Sequence, residues 1–225
     1  MLQKSTLTFL KNLSKNNNKS WFDAHREAYD QSKADFESFV KRFSQSYHLI
    51  DSDIEIMDAK KYIFRINRDI RFSKDKTPYK NNFGASFSKG GKKSVFADYY
   101  MHIEPGKSFI GGGLWMPEPS ALKKVRQELD YCWEEFNAIV TKPAFRKHFG
   151  ELYRGEGMQL SKIPHGYEKD NPASSFLRLK HFVAMHPVKD EDITSPTFLK
   201  KTTTTFKTLL PMIRFLNRAV EEEGE

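Results

Sequence analysis

The apolar residues near the amino terminus fall at helical spacing. Leu7, Leu10 and Leu13 recur at three-residue steps, which predicts a short helix over 6–15. The asparagine-rich "KNNNKS" ends it, and Ser20 with Asp23 three residues on reads as the start signal of the next helix. Phe22, His25, Tyr29, Phe36, Phe39, Phe43 and Tyr47 then follow at mostly three- and four-residue steps. A long amphipathic helix is therefore expected over 20–47.

The period then changes. Tyr62, Phe64 and Ile66 alternate with polar residues, the two-residue rhythm of a half-buried strand. Extending that strand puts Phe64, Ile66, Ile70 and Phe72 on an inner side and Arg65, Asn67, Asp69 and Arg71 on an outer one. Arg68 falls on the inner side, so either a bulge re-aims it or the strand ends near Asn67 and a turn begins. Downstream, "NFGASF" and "VFADYYMHIE" flank "SKGGKK", and "EPGK" joins "YYMHIE" to "SFIGGGLW". These are two successive hairpins, which imply an antiparallel sheet.

Helical spacing returns after "MPEPS", where Ser120 can cap a segment reaching about Val140 through Leu122, Val125, Leu129, Trp133 and Phe136. A short helix is expected over 143–152, and "SFLRLKHFVAM" reads as a further strand. Ser195-Pro196 marks the start of a last helix, expected to run to about Val220 with a kink at Pro211. The pattern predicts an α+β fold: an antiparallel sheet of about five to six strands with helices packed on it, and long helices near both termini. With no repeat and no linker, residues 1–225 read as a single domain.

Composition adds three points. Nineteen phenylalanines among 225 residues predict a core built largely from aromatic rings. The single cysteine, Cys132, excludes an internal disulfide and a thiol-rich metal site. No apolar run approaches the roughly 20 residues that span a bilayer. "MLQKSTLTFLKNL" lacks the apolar core of a signal peptide, so a cytoplasmic protein without a membrane partner is expected.

Charge is concentrated. Eleven bases lie between Lys60 and Lys93, opposed only by Asp69 and Asp75, a local +9 in a chain whose total is +8. A local patch argues for an anionic partner at one place. Arg65, Arg68 and Arg71 carry guanidinium forks that match phosphate or carboxylate, with Asp69 placed to hold them. "SKDKTPYK" then places Lys74, Lys76, Tyr79 and Lys80 on a loop stiffened by Pro78. The competing explanation is structural: a salt-bridge ladder through Asp69, which adds little stability when exposed.

The stretches "TFLKNLSKNNNKSWFDAHREAY", "FRINRDIRFSKDKTPYKNNFGASF" and "YYMHIEPGKSFIGGGLWMPEPSALKKVRQEL", with "LSKIPHGYEKDNPASSFLRLKHF" and "LLPMIRFLN" after them, resemble a mainly bacterial family catalogued as domain of unknown function 2461. They cover nearly the whole chain in the family's order. The resemblance implies a single domain of that family's fold and carries no reaction with it. Its pattern includes Arg65, Arg68, Asp69, Arg71, Phe72, Lys76, Pro78 and Tyr79.

Several chemistries fall away. "GASFSKGGKKS" misses the spacing of a phosphate loop and lies in a hairpin, where no helix amino terminus faces a phosphate. No histidine has metal-ligand spacing, no G-x-S-x-G elbow occurs, and no cofactor is expected. In "GGGLW", strand glycines point to close backbone approach before they point to a ligand. His102 and Glu104 share a strand face with Tyr100, an acid–base group or a cross-strand polar network. The expectations are therefore a site that binds or turns over a phosphate- or carboxylate-bearing small molecule first; a structural or protein-interaction domain second; nucleic-acid binding third.

Overall fold

The computed structural model describes residues 1–221. Helices α1 (Lys4–Lys15), α2 (Lys19–Ala24) and α3 (Arg26–His48) open the chain. Strands β1 (Phe83–Phe87), β2 (Asp98–Ile103) and β3 (Phe109–Leu114) follow, then α4 (Pro119–Tyr131), α5 (Trp133–Thr141), α6 (Pro143–Phe149) and α7 (Ser174–Leu177). Strand β4 (Phe182–Pro187), α8 (Asp190–Ile193) and α9 (Phe198–Glu221) complete it. The fold is α+β with one antiparallel sheet in the order β1-β2-β3-β4. Among the described residues the sheet has four strands, fewer than the five to six expected.

Both hairpins form. The β2–β3 connection bonds Lys107 N–H to the Glu104 carbonyl at 2.9 Å. Pro105 stands at its second position and Gly106 at its third with φ +75°, the chemistry of a type II turn. Alternation along β2 buries Tyr99, Met101 and Ile103 and leaves Asp98, Tyr100 and His102 partly open on the other face. The buried face packs on α3 and α9. Phe83 stacks on Phe36 at 5.4 Å, and Tyr99 lies 5.0 Å from Tyr47 and 5.2 Å from Phe206. The Tyr99 hydroxyl donates to the buried Asp51 carboxylate at 2.7 Å, so the phenol is satisfied inside the core.

Three expected helices are divided or moved. The second breaks at His25 (φ −114°), whose ring nitrogen reaches the Trp21 carbonyl at 2.8 Å and so competes with the helical backbone bond. Its cap is Asn18, accepting from Trp21 N–H at 2.9 Å, not Ser20. The third breaks at Cys132, giving α4 and α5. Helix α9 begins at Phe198 and continues through Pro211. The expected strand at 175–185 is helical in its first part and becomes β4 only from Phe182.

The segment around Phe64–Phe72 is not a strand. Only single bridges occur, Ile63 to Ala85 and Asn67 to Tyr79. Lys80 N–H bonds the Ile66 carbonyl at 2.8 Å and Arg68 N–H the Pro78 carbonyl at 2.9 Å. The chain thus leaves the sheet at Asn67, makes a hairpin-like excursion and returns at Lys80. Asn17, in the helix-breaking asparagine run, clamps the return: its side-chain amide bonds the Tyr79 carbonyl and N–H at 2.8 and 3.1 Å. Because extended alternation stops at Asn67, Phe72 is 96% exposed, opposite to its expected inward position. Arg68 points into the excursion. Its guanidinium binds the Asp75 carboxylate and the Thr77 hydroxyl, and reaches Ser73 Oγ at 3.4 Å.

Two predictions follow from these local constraints. A Cβ on Gly113, where φ is +131°, would lie 1.9 Å from the Phe182 carbonyl oxygen of the neighbouring strand. Gly113→Ala should therefore cost about 3 kcal/mol or more in urea denaturation, whereas Gly106→Ala, with open space around it, should cost about 1 kcal/mol. Arg68→Ala should speed tryptic cleavage at Lys74 and Lys76 several-fold by freeing the excursion. Arg71→Ala, which breaks only an exposed pair with Asp69, should leave that cleavage rate unchanged.

Candidate functional site

Helices cover one face of the sheet, and a cleft of about 410 Å³ lies on the other. Its floor is the outer pleat of β2, with Asp98, Tyr100 and His102 spaced two residues apart. Register places Gly111 opposite Tyr100 and Gly113 opposite Asp98. These positions carry no side chain, so the floor is a trough between the β2 side chains and Val183 and Met185 of β4. Close pairing makes the glycines obligatory as well: a Cβ on Gly112 would sit 2.1 Å from the Asp98 carbonyl oxygen. The expectation of close backbone approach thus holds, and it creates the trough.

The walls are aromatic. Phe64, Phe109 and Trp115 surround the floor, with Phe109 stacked on His102 at 4.8 Å and Phe64 at 6.2 Å from Tyr100. Trp115 is half exposed at the rim and stands 5.1 Å from the buried His181 ring. Neither His181 nitrogen has a hydrogen-bond partner, and burial lowers its pKa, which keeps it neutral.

A few polar groups converge on this apolar space. Burial pushes the Asp98 carboxyl up to about 6, although Ser86 Oγ–H donates to it at 2.6 Å and opposes the shift. Burial, and then the nearby Asp98 charge, push the Tyr100 hydroxyl up to about 12. His102 Nε2 meets Glu104 Oε2 at 3.0 Å, so the expected pair forms and fixes the ring. Lys80 lies on the wall, its ammonium 5.4 Å from the centre of the Phe64 ring. Burial and then the Arg65 charge lower the Lys80 pKa.

The basic run is dispersed. Arg68 is held by Asp75, whose carboxyl falls to about 2 through the Thr77 N–H and then Arg68. Arg71 and Asp69 form an exposed two-point pair at 3.0 and 2.7 Å, which lowers the Asp69 pKa. Lys76 Nζ donates to the Ile70 carbonyl at 3.0 Å, and Lys74 is exposed. Tyr79 is a core residue, 7% exposed and stacked on Phe22 at 4.0 Å. The three arginines therefore do not converge. Of the site residues expected from the sequence, Arg65 and Lys80 line these cavities, on two different clefts that share Phe64 as a wall.

Asp98 was not singled out in the sequence, though it lies two residues before Tyr100 on the face already read for Tyr100 and His102. Phe109 carried no sequence signal, because only the β2–β3 register brings it beside His102. Among the described residues no group of three or more His, Cys, Asp or Glu is placed to hold a metal ion. No described helix is long and apolar enough to cross a membrane.

No curated protein and no solved structure matched the chain. A family model described as "Conserved hypothetical protein (DUF2461)" matches residues 5–215. The match covers nearly the whole chain, and the chain belongs to the DUF2461 family of conserved hypothetical proteins.

Proposed function

We propose that the protein binds a small carboxylate-bearing molecule with a flat apolar body in the cleft on the outer sheet face. The observation that carries this reading is that Lys80 and Asp98 both line one aromatic-walled trough. Ligand sites are mostly apolar cavities with a few convergent polar groups, often with displaced pKa values. Lys80 attracts the ligand carboxylate, and the rings of Phe64, Phe109 and Trp115 pack its body. Below about pH 6, protonated Asp98 donates a hydrogen bond to it. A phosphate dianion suits this floor less well, because Asp98 and Tyr100 supply no positive charge. Arg65 strengthens the field beside Lys80.

A structural role remains the second reading for the excursion itself. It is favoured by the pairing of Arg68 with Asp75 and Arg71 with Asp69. The same pairing weakens nucleic-acid binding, which needs unpaired cations and exposed rings.

Calorimetric titration with benzoate, indole-3-acetate and inorganic phosphate tests the proposal. The aromatic carboxylates should bind and phosphate should not compete. Lys80→Met should weaken carboxylate binding by about tenfold or more, the usual scale of a charge-assisted contact. Affinity should fall as pH rises through about 6, where Asp98 loses its proton and begins to repel the ligand. Asp98→Asn should remove that pH dependence. Undiminished binding by Lys80→Met, or no binding of either carboxylate, overturns the proposal.

A further inference from the structure

A second cavity, of about 270 Å³, lies behind Phe64 between α3 and the 60–67 segment. Its composition differs from that of the first. Helix α3 contributes Tyr29, Lys33 and Glu37 at four-residue steps, one stripe along the helix. The facing segment contributes Lys60, Arg65 and Asn67, and the β1–β2 connection contributes Lys92. The floor is apolar, made by Ile63, Ile66 and Phe83. Four cations thus face one carboxylate around a small recess, a net of three positive charges.

Two of these groups have donors to spare for a ligand. Lys92 Nζ donates to the Lys60 and Ile63 carbonyls, which holds its charge in place and leaves one N–H unused. Arg65 is the one arginine of the run with no hydrogen bond or ion pair among the described residues, although its charge acts on Asp69 and Lys80. A third group is incomplete. Glu37 Oε1 is buried and accepts no hydrogen bond, and its only cation, Lys33, stands 3.7 Å away. A buried acceptor without a donor is costly unless something else supplies one.

From this set we infer that the recess is a binding site for a phosphate monoester of a small hydroxylated compound. Arg65 takes two phosphate oxygens in its fork, and Lys92 and Lys60 neutralise the dianion. A hydroxyl on the carbon skeleton donates to Glu37 Oε1 and completes that carboxylate. The volume limits the skeleton to a few carbons, since it lies at the small end of ligand cavities. The site is separate from the carboxylate cleft and does not depend on it: Phe64 is the wall between them, with Lys80 on one cavity and Lys92 on the other.

Titration of the full chain with glycerol 3-phosphate, inorganic phosphate and glycerol, followed by calorimetry and phosphorus NMR, tests the inference. Glycerol 3-phosphate should bind more tightly than inorganic phosphate, and glycerol should not bind. Arg65→Met should weaken glycerol 3-phosphate binding by about tenfold or more while leaving the melting temperature near that of wild type, since Arg65 has no partner to lose. Glu37→Gln should tighten inorganic phosphate by removing a repelling charge, and should reduce the preference for glycerol 3-phosphate. Lys80→Met should leave both affinities unchanged, which separates this site from the carboxylate cleft. Wild-type affinity in Arg65→Met, equal affinity of wild type for the two phosphates, or loss of binding in Lys80→Met would overturn it.

Discussion

Long helices pack on one face of the sheet, and the rest of the molecule is arranged around that asymmetry. Tyr99 sits at its centre, ringed by Tyr47 of α3 and Phe206 of α9, with its hydroxyl tied to Asp51. Burying a tyrosine this deeply is favourable only if the phenol keeps a partner, so Asp51 is drawn into the core with it. Helix α9 then serves as a spine, packing on β3 and also against α4, α5 and α6. The second helical group, centred on Phe136 against Phe215 and Phe182, extends the same core beyond the sheet. Because both long helices are committed to the Tyr99 face, the other pleat of β2 is left for the polar side chains of Asp98, Tyr100 and His102.

That outer pleat becomes a cleft through a second constraint, the run of glycines in β3. Strand β3 is gripped between β2 and β4 so closely that side chains at 111–113 would meet neighbouring backbone. The same absence of side chains lowers the middle of the outer face. The packing requirement and the trough have one cause. Asp98 is desolvated there because Tyr100, Phe109 and Trp115 rise around a floor that glycine leaves low. The steric need would select glycine without a ligand, which is why this stretch alone does not argue for function.

Much of this was legible where local periodicity decides the outcome. The alternation in "DYYMHI" assigns Tyr99 and Met101 to the core and Tyr100 and His102 to the opposite face, as the structure has them. The helical spacing of Phe36, Phe39 and Phe43 likewise gives the buried face of α3. Legibility failed where a single contact overrides the period. The His25 ring takes a share of the Trp21 carbonyl and divides a helix whose apolar spacing runs on without interruption. Asn17, remote in sequence, holds Tyr79 in the core and so sets where the basic excursion closes. Nothing near Phe72 announces that contact, and extrapolated alternation put the ring on the wrong side.

The charge map failed in a related way, and the failure is instructive. Counting residues between Lys60 and Lys93 gives a large surplus of cations, but a count sees neither carboxylates from elsewhere nor carbonyl oxygens. Lys89 is paired by Glu221, from the far end of the chain. Lys76 gives a donor to the Ile70 carbonyl, and Lys92 gives two of its three to backbone carbonyls. Arg68 and Arg71 are answered by Asp75 and Asp69 within the run. Subtracting these leaves a smaller set in which Arg65 and Lys80 matter most, because each lines a cavity. Phe64 stands between those cavities, and both Lys80 and Lys92 lie over its ring, at 5.4 and 5.9 Å. One aromatic side chain thus holds two cations apart and assigns each to its own pocket. The surplus read from the sequence is therefore divided between two small cavities, with much of the remainder spent on holding the loop.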